Sequence, residues 1–286
     1  VQQTGEWERV TKSAPCPVCD HPDWCSVGAK VIHCMRMKSD RPVESGGWLH
    51  KRDGTTELLP MSTKRKPHLT DLVLHNRFAP LARHWWKDAG DKTRELAEAL
   101  GVAWYALDDI KCGWNGSEWT LPERNHAELF VGINRRFADG SKVCMVGSRR
   151  GLICSDAWTE YPGPVLIVEG ASDTSAGITM GLSTIGRPNN TGGGAYLVSL
   201  LRATDATIVV MGENDRKDDG RWPGKEGAVA VAGKLRKHLL GRKILVRMPL
   251  DGAKDLRGWL NARGVDPENI EACWRLGKSL VRRLTR

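Results

Sequence analysis

Carboxylates collect where apolar segments stop. "PVLIVEG" ends on Glu169, "ATIVVMGEND" on Glu213 and Asp215, and "KILVRMPLDGAKDL" leads to Asp251 and Asp255. Each apolar run reads as a buried strand, so each brings acid to the same kind of place, the carboxyl end of a strand. One such acid is an ordinary solvated residue; three in succession describe a shared anionic pocket. Carboxylates held together repel, and a hard cation such as Mg²⁺ relieves the repulsion. Glu213 and Asp215 are two positions apart, so a turning backbone lets both lean into one site. Asp218 and Asp219, further along "RKDDG", read instead as a solvated loop rim.

A second set of ligands lies in "APCPVCDHPDWCSVGAKVIHCMR". Cys16 and Cys19 form a C-P-x-C knuckle whose thiolates and intervening amides can wrap one metal ion. Cys25 and Cys34 complete a four-thiolate set, the structural zinc arrangement. A regular ribbon would repeat C-x-x-C, and this second pair does not, so His21 and His33 stand as alternative ligands to Cys25. Cys34 follows "KVIH", a strand able to present it. A segment this short holds little apolar content and needs a metal or another staple to fold. Cys112, Cys144, Cys154 and Cys273 are scattered and read as small buried hydrophobes rather than a disulfide framework.

Composition sets the setting for both. The 286 residues carry a net charge of +9, which favours polyanions, nucleic acid first among them. Twelve Trp against three Tyr and three Phe supply rings that can stack on unpaired bases. No run approaches the roughly 20 apolar residues of a membrane span, and "VQQTGEWERV" lacks the apolar core of a signal peptide, so a cytoplasmic protein is expected.

The elements that must position these residues fall into three parts. Residues 1–60 form the metal-binding module, and "PMSTKRKPH" (60–68) is a basic, proline-bracketed linker. Residues 61–160 form a basic helix–strand subdomain. Its helical part, from 69 to about 110, places Leu96, Leu100, Trp104 and Leu107 at spacings of three to four. Its strands turn at Asp139-Gly140 and carry Arg135, Arg136, Lys142, Arg149 and Arg150, a surface able to lie along a phosphate backbone. From 161 to 286, strands alternate with helices, including "KEGAVAVAGKLRKHLLG", which implies a largely parallel sheet flanked by helices. Arg187 heads "GRPNNTGGG", whose glycines would let amides approach phosphates.

At this point the residues resemble a known family. "LIVEGASD", "GENDRKDDG…GKEGAVAVA" and "DGAKDLRGWL" are similar to the Toprim domain of bacterial DnaG-type and phage-type primases, which topoisomerases and some nucleases share. Glu169 stands at the motif's glutamate, Asp173 at the aspartate that often follows, Glu213 and Asp215 at the D-x-D positions, and Asp255 in the later K-D element. Glu213 stands where the family more often has Asp, and "RKDDGRWP" is an insertion. A zinc ribbon, a small basic α+β subdomain and a Toprim domain, in that order, cover nearly the whole chain.

The resemblance implies a DNA primase that makes short RNA primers from NTPs on single-stranded DNA by two-metal nucleotidyl transfer, in phage, mobile-element or chromosomal replication. Glu169, Glu213 and Asp215 would hold two Mg²⁺ or Mn²⁺ ions, with Asp255 a further ligand. Arg135, Arg136, Lys142, Arg149, Arg150 and Arg187 would steer template or triphosphate. One structural zinc would sit in a module that engages template through Trp24 or Trp48. "LGKSL" is a false phosphate-loop match, since the first glycine would fall at Ala272, so a replicative helicase is expected as a separate partner. Competing expectations are a Toprim-type metal-dependent nuclease and a non-catalytic zinc/Toprim recombination-type DNA-binding module.

Overall fold

Four short strands make the N-terminal sheet of the computed structural model, which describes residues 7–29, 31–39, 41–43, 46–52 and 69–286. They are β1 (Glu8–Arg9), β2 (Ser26–Val27), β3 (Val31–Cys34) and β4 (Trp48–Lys51), paired antiparallel in chain order. Their core is small: Val10, Ile32 and the buried sulfurs of Cys16, Cys25 and Cys34. This sheet belongs to one of two compact units, Val1–Arg65 and Lys66–Arg286. The expected linker at 60–68 and the expected boundary at residue 60 lie outside the described residues.

The second unit begins with three helices, α1 (Leu69–Lys87), α2 (Asp91–Leu100) and α3 (Trp104–Asp109). The run expected to place Leu96, Leu100, Trp104 and Leu107 along one helix is divided, because Gly101 adopts φ 67° and ends α2 in a left-handed cap. Next come β5 (Gly113–Trp114), β6 (Trp119–Arg124), β7 (Phe130–Arg136) and β8 (Lys142–Cys144), an antiparallel sheet in chain order. The β7–β8 turn falls at Asp139-Gly140, with Gly140 at φ 85°. Phe78, Ala79 and Ala82 of α1 pack with Ile133 and Phe130 of this sheet.

The remaining strands are β9 (Ile153–Cys154), β10 (Val165–Glu169), β11 (Thr184–Arg187), β12 (Ile208–Met211) and β13 (Ile244–Arg247). Their order is β13-β12-β10-β11-β9; four strands run parallel, and β9 closes the edge antiparallel. The helices between and after them are α4 (Gly170–Thr179), α5 (Gly194–Leu200), α6 (Pro223–His238), α7 (Leu256–Asn261) and α8 (Ile270–Thr285). Leu166, Val168, Val209 and Met211 face α2, α3, α4, α7 and α8. Val165, Ile167, Ile208 and Val210 face α5 and α6. Both faces are covered, which is why β10 and β12 are apolar without alternation. The sheet is thus the mostly parallel, helix-flanked α/β arrangement that the alternation implies. "GKS" lies inside α8 rather than in a loop before a helix. No described helix is long and apolar enough to cross a membrane.

Candidate active site

The parallel strands β10 and β12 are neighbours, so their carboxyl ends open side by side. Glu169 is the last residue of β10, and the chain turns at once into α4 through Gly170 at φ 71°, a conformation that costs glycine little. Beyond β12, Glu213 and Asp215 lie on a clamped extended segment. Asn214 between them points elsewhere: its N–H donates to Lys254 O (2.7 Å) and its amide to Ala253 O (2.5 Å). Trp222 Nε1 donates to Glu213 O (2.9 Å), and Gly224 N donates to Asp215 Oδ1 (2.8 Å) at the start of α6. A Cβ on Gly224 would come 2.5 Å from Glu213 O, so that approach requires glycine.

The acids feel one another. Burial raises the pKa of Glu213, and the charges of Glu169, Asp255 and Asp215 raise it further against the opposing Lys254. Burial likewise raises Glu169, opposed by Arg187 and reinforced by Asp215. Neither Glu169 nor Glu213 spends its carboxylate on a described hydrogen bond or ion pair, so both have free oxygens for a cation. Asp255 caps α7 through Gly258 N (2.6 Å). The one described group of three or more such residues whose ligand atoms all fall within 4.8 Å is the cysteine set, not these acids. Mutual repulsion keeps uncompensated carboxylates apart.

Two acids differ from the rest. Asp173 is buried, and its two oxygens accept from Leu256 N (3.2 Å) and Arg257 N (3.0 Å), fastening α4 to the start of α7. Burial and the nearby Asp255 push its pKa up to about 7 against those two amide bonds. Asp173 is therefore a clamp behind the site rather than a free ligand. Asp251 leaves the acid group altogether: it is ion-paired with Arg283 (2.7 Å) and with Arg263, and accepts from Trp259 Nε1 (3.1 Å). Those bonds hold its carboxyl well below the usual carboxylate range. Asp218 and Asp219 are exposed, and Asp219 pairs with Arg221 (2.6 Å).

The expected cations separate in the same way. Arg136 and Lys142 are direct partners across β7 and β8, so they share a face, and Lys142 senses Asp173 and Glu213. Loss of surrounding water, Arg136 and Arg257 together lower the Lys142 pKa; burial and Arg257 lower that of Arg136. Arg257, which the sequence reading passed over, is the third member, and its buried Nε has no described hydrogen-bond partner. Three cations that repel one another and lack a carboxylate partner among the described residues form a place for an anion. Arg135 faces the other way and pairs with Glu118 (3.2 Å). Arg149 pairs with Asp71 of α1, and Arg150 grips the buried Glu123 (2.8 Å) and donates to Pro188 O (2.8 Å).

Arg187 departs most sharply from its expected role of steering template or triphosphate, because it is fully buried. Its guanidinium donates to Val168 O (3.3 Å), Met211 O (3.0 Å) and Asn190 O, tying together the strand ends that carry Glu169 and Glu213. Burial lowers its pKa, while Glu169, Glu213 and Asp173 raise it. It is an internal countercharge beneath the acids, out of reach of a strand.

In the N-terminal unit the four sulfurs of Cys16, Cys19, Cys25 and Cys34 all lie within 4.8 Å of one another. Four sulfurs about 2.3 Å from a tetrahedral centre stand about 3.8 Å apart, and Cys19 Sγ and Cys25 Sγ are 3.8 Å apart. Met35 N donates to Cys25 Sγ (3.4 Å) and Met37 N to Cys34 Sγ (3.3 Å), bonds that support thiolate ligands. Burial pushes the Cys25 thiol up to about 12, opposed by the Met35 amide and reinforced by Cys16 and Cys19, a cost that a dication removes. The ring Nε2 of His33 is hydrogen-bonded with Gly46 O (2.7 Å), and neither His33 nor His21 belongs to the set. The donor set thus fits one zinc ion.

No family model matches the chain, and no curated protein matches it by sequence. Solved structures do match its fold. A DnaG primase catalytic domain bound to ssDNA aligns with TM-score 0.53 at 14% identity, covering 72% of this chain and 79% of that one. The E. coli primase catalytic core aligns with TM-score 0.52 at 14% identity over 71% of this chain and 80% of that one. A DnaG catalytic core aligns with TM-score 0.51 at 14% identity over 71% and 79%. The chain has the fold of the DnaG primase catalytic core, and the cysteine cluster at its N-terminus fits a zinc module.

Proposed function

We propose that this protein is a DNA primase that joins NTPs into short RNA primers on single-stranded DNA, as a cytoplasmic replication enzyme served by a separate helicase. The observation that carries this reading is the meeting of Glu169, Glu213 and Asp215 at the carboxyl ends of adjacent parallel strands, on a fold like that of the DnaG core. We read residues 61–160 as the template-guiding subdomain and 161–286 as the Toprim domain, with the zinc module of 1–60 engaging template.

Glu169, Glu213 and Asp215 would hold divalent Mg²⁺ or Mn²⁺, with Asp255 beside them. Such ions, when bound, activate an attacking 3′-hydroxyl and neutralise triphosphate charge. The chain's own side chains prepare that chemistry. Arg187 pins both strand ends and offsets part of the acids' repulsion. Asn214, Trp222 and Gly224 fix the backbone from which Glu213 and Asp215 project. Asp173 anchors α7, and so sets the position of Asp255 and Arg257. Arg136, Lys142 and Arg257 would take the phosphates of template or incoming nucleotide, since they lie together, Lys142 senses the acids, and none has a carboxylate partner among the described residues. The ssDNA held by one structurally similar catalytic domain supports a single-stranded template.

The test supplies single-stranded DNA, four NTPs and Mg²⁺ or Mn²⁺. Short labelled RNA is the expected product, and Asp215→Asn abolishes it while DNA binding stays near the parent value. Degradation of the DNA without synthesis would mean a Toprim nuclease instead. Binding without either reaction would mean a recombination-type module.

A further inference from the structure

Two basic residues of α1, Arg83 and Lys87, have no part in the site above, and they border a cavity of about 370 Å³. Its other walls come from the segment after α3, from the β6–β7 turn and from Asp156. Both side chains are exposed, and neither has a carboxylate partner among the described residues. They stand four apart on one helix, where like charges repel. The helix dipole favours a cation in the last turn, which accounts for Lys87 but not for Arg83 a turn earlier.

The cavity's charges do not balance. Asp156 is matched twice, by Arg124 and by Lys111 Nζ at 3.6 Å. Glu128 on the rim is the one lining acid left to oppose Arg83 and Lys87. Lys111 keeps its ammonium 4.1 Å from the Trp86 ring centroid, and Trp86 is fixed by Nε1 donating to Asp108 (2.6 Å). His75 completes the donor set. Its Nδ1 accepts from Phe130 N (3.0 Å), which leaves the proton on Nε2. Burial, with Arg83 and Arg124 nearby, lowers the ring's pKa, so the ring is a neutral donor.

We propose that this cavity is a phosphate-binding site, in which Arg83, Lys87, Lys111 and His75 Nε2–H contact the oxygens of a phosphate group. Guanidinium, ammonium and imidazole N–H are the donors that phosphate oxygens take best. A cavity of about 370 Å³ holds more than one phosphate. The group comes either from a nucleic-acid strand or from a small phosphate compound such as pyrophosphate. The site does not rest on the metal chemistry, since none of its residues touches the acids at the strand ends.

The test compares the full chain with Arg83→Gln/Lys87→Gln, and with Lys278→Gln/Arg282→Gln on α8 as an equal loss of charge elsewhere. Binding of fluorescein-labelled dT12 is measured by anisotropy over a salt series, and binding of sodium pyrophosphate by calorimetry, both without divalent cations. If a strand supplies the phosphate, the α1 variant loses about 1.4 from the slope of log K against log salt, about 0.7 per contact, and pyrophosphate heats do not change. If a small compound supplies it, pyrophosphate affinity falls at least about tenfold, the size of one lost charge-assisted contact, and the dT12 slope stays. Equal effects from the α8 variant, or no effect of the α1 variant on either ligand, would overturn the proposal. Primer synthesis, read on the same variants, judges the proposed activity separately.

Discussion

The cysteine set and the strand-end acids solve the same problem in opposite ways. Both bring together groups that become anionic and repel one another. The cysteines are all drawn from Cys16–Cys34, their sulfurs all lie within 4.8 Å of one another, and the cation that reaches them is a surface one, Arg36, 4.0 Å from Cys25 Sγ. The acids come from chain positions 169 to 255, remain too far apart for one cage, and rest on a buried arginine. A local set can depend on its metal to fold. A set assembled by topology must be tolerable to the fold by itself, and here the buried Arg187 offsets part of the repulsion.

Removing metal should break the first region and spare the second. Structural zinc contributes an apparent 10–16 kcal/mol, about as much as or more than a small domain's whole stability. Cys16→Ser should therefore lose the roughly one zinc per chain and unfold the N-terminal unit. Hydrogen exchange should then show lost protection there and unchanged protection over 69–286. Retained protection around β3 would mean the cysteine core holds without metal.

Glu169→Gln sharpens the contrast from the other side. It should cut primer synthesis by about 10³-fold or more, a loss of several kcal/mol of transition-state stabilisation, with no loss of unfolding free energy. A variant that still makes primers at a comparable rate would remove Glu169 from the metal-binding role. Arg187→Met, by contrast, should act through the fold. It leaves the strand-end carbonyls Val168 O and Met211 O without their donor and removes the cation beneath the half-buried acids, at about 1–3 kcal/mol for each group left unsatisfied. Denaturant titration measures it, and a cost below about 1 kcal/mol would make Arg187 dispensable as a countercharge.

The most gradual expected effect is a pH dependence. Asp173 has its folded pKa pushed up from 3.8 to about 7, so the native state keeps a proton that the unfolded chain has released. The Asp173 contribution to stability, without added Mg²⁺ or Mn²⁺, should then be fully present below about pH 4 and be lost as pH rises through 7, by at most about 1.4 kcal/mol per unit for one proton. Asp173→Asn should flatten that slope. An unchanged slope in the variant would assign it to other groups.

Much of this was legible in the chain itself. Apolar runs ending in acid located Glu169, Glu213 and Asp215, and the alternation of strand and helix implied the parallel sheet that sets two of those strand ends side by side. The C-P-x-C knuckle located the metal module. These signals are short-range: strand ends, helix periodicity and ligand spacing follow from backbone geometry within a few residues.

What the sequence left open was decided at long range. That Cys25, and not His21 or His33, joins the set depends on how β2 and β3 pair. That Arg149 serves Asp71 depends on a contact across 78 residues, and the Asp173 clamp on Arg257 N spans 84. An arginine in a sequence is one cation among many, and only the packed fold fixes whether its fork meets a carboxylate, a backbone carbonyl or open solvent. By itself the sequence determined which strand ends carry acid and where the cysteines cluster. The tertiary structure decided which charges remain free to work, because that depends on which distant partners the topology brings within a hydrogen bond's reach.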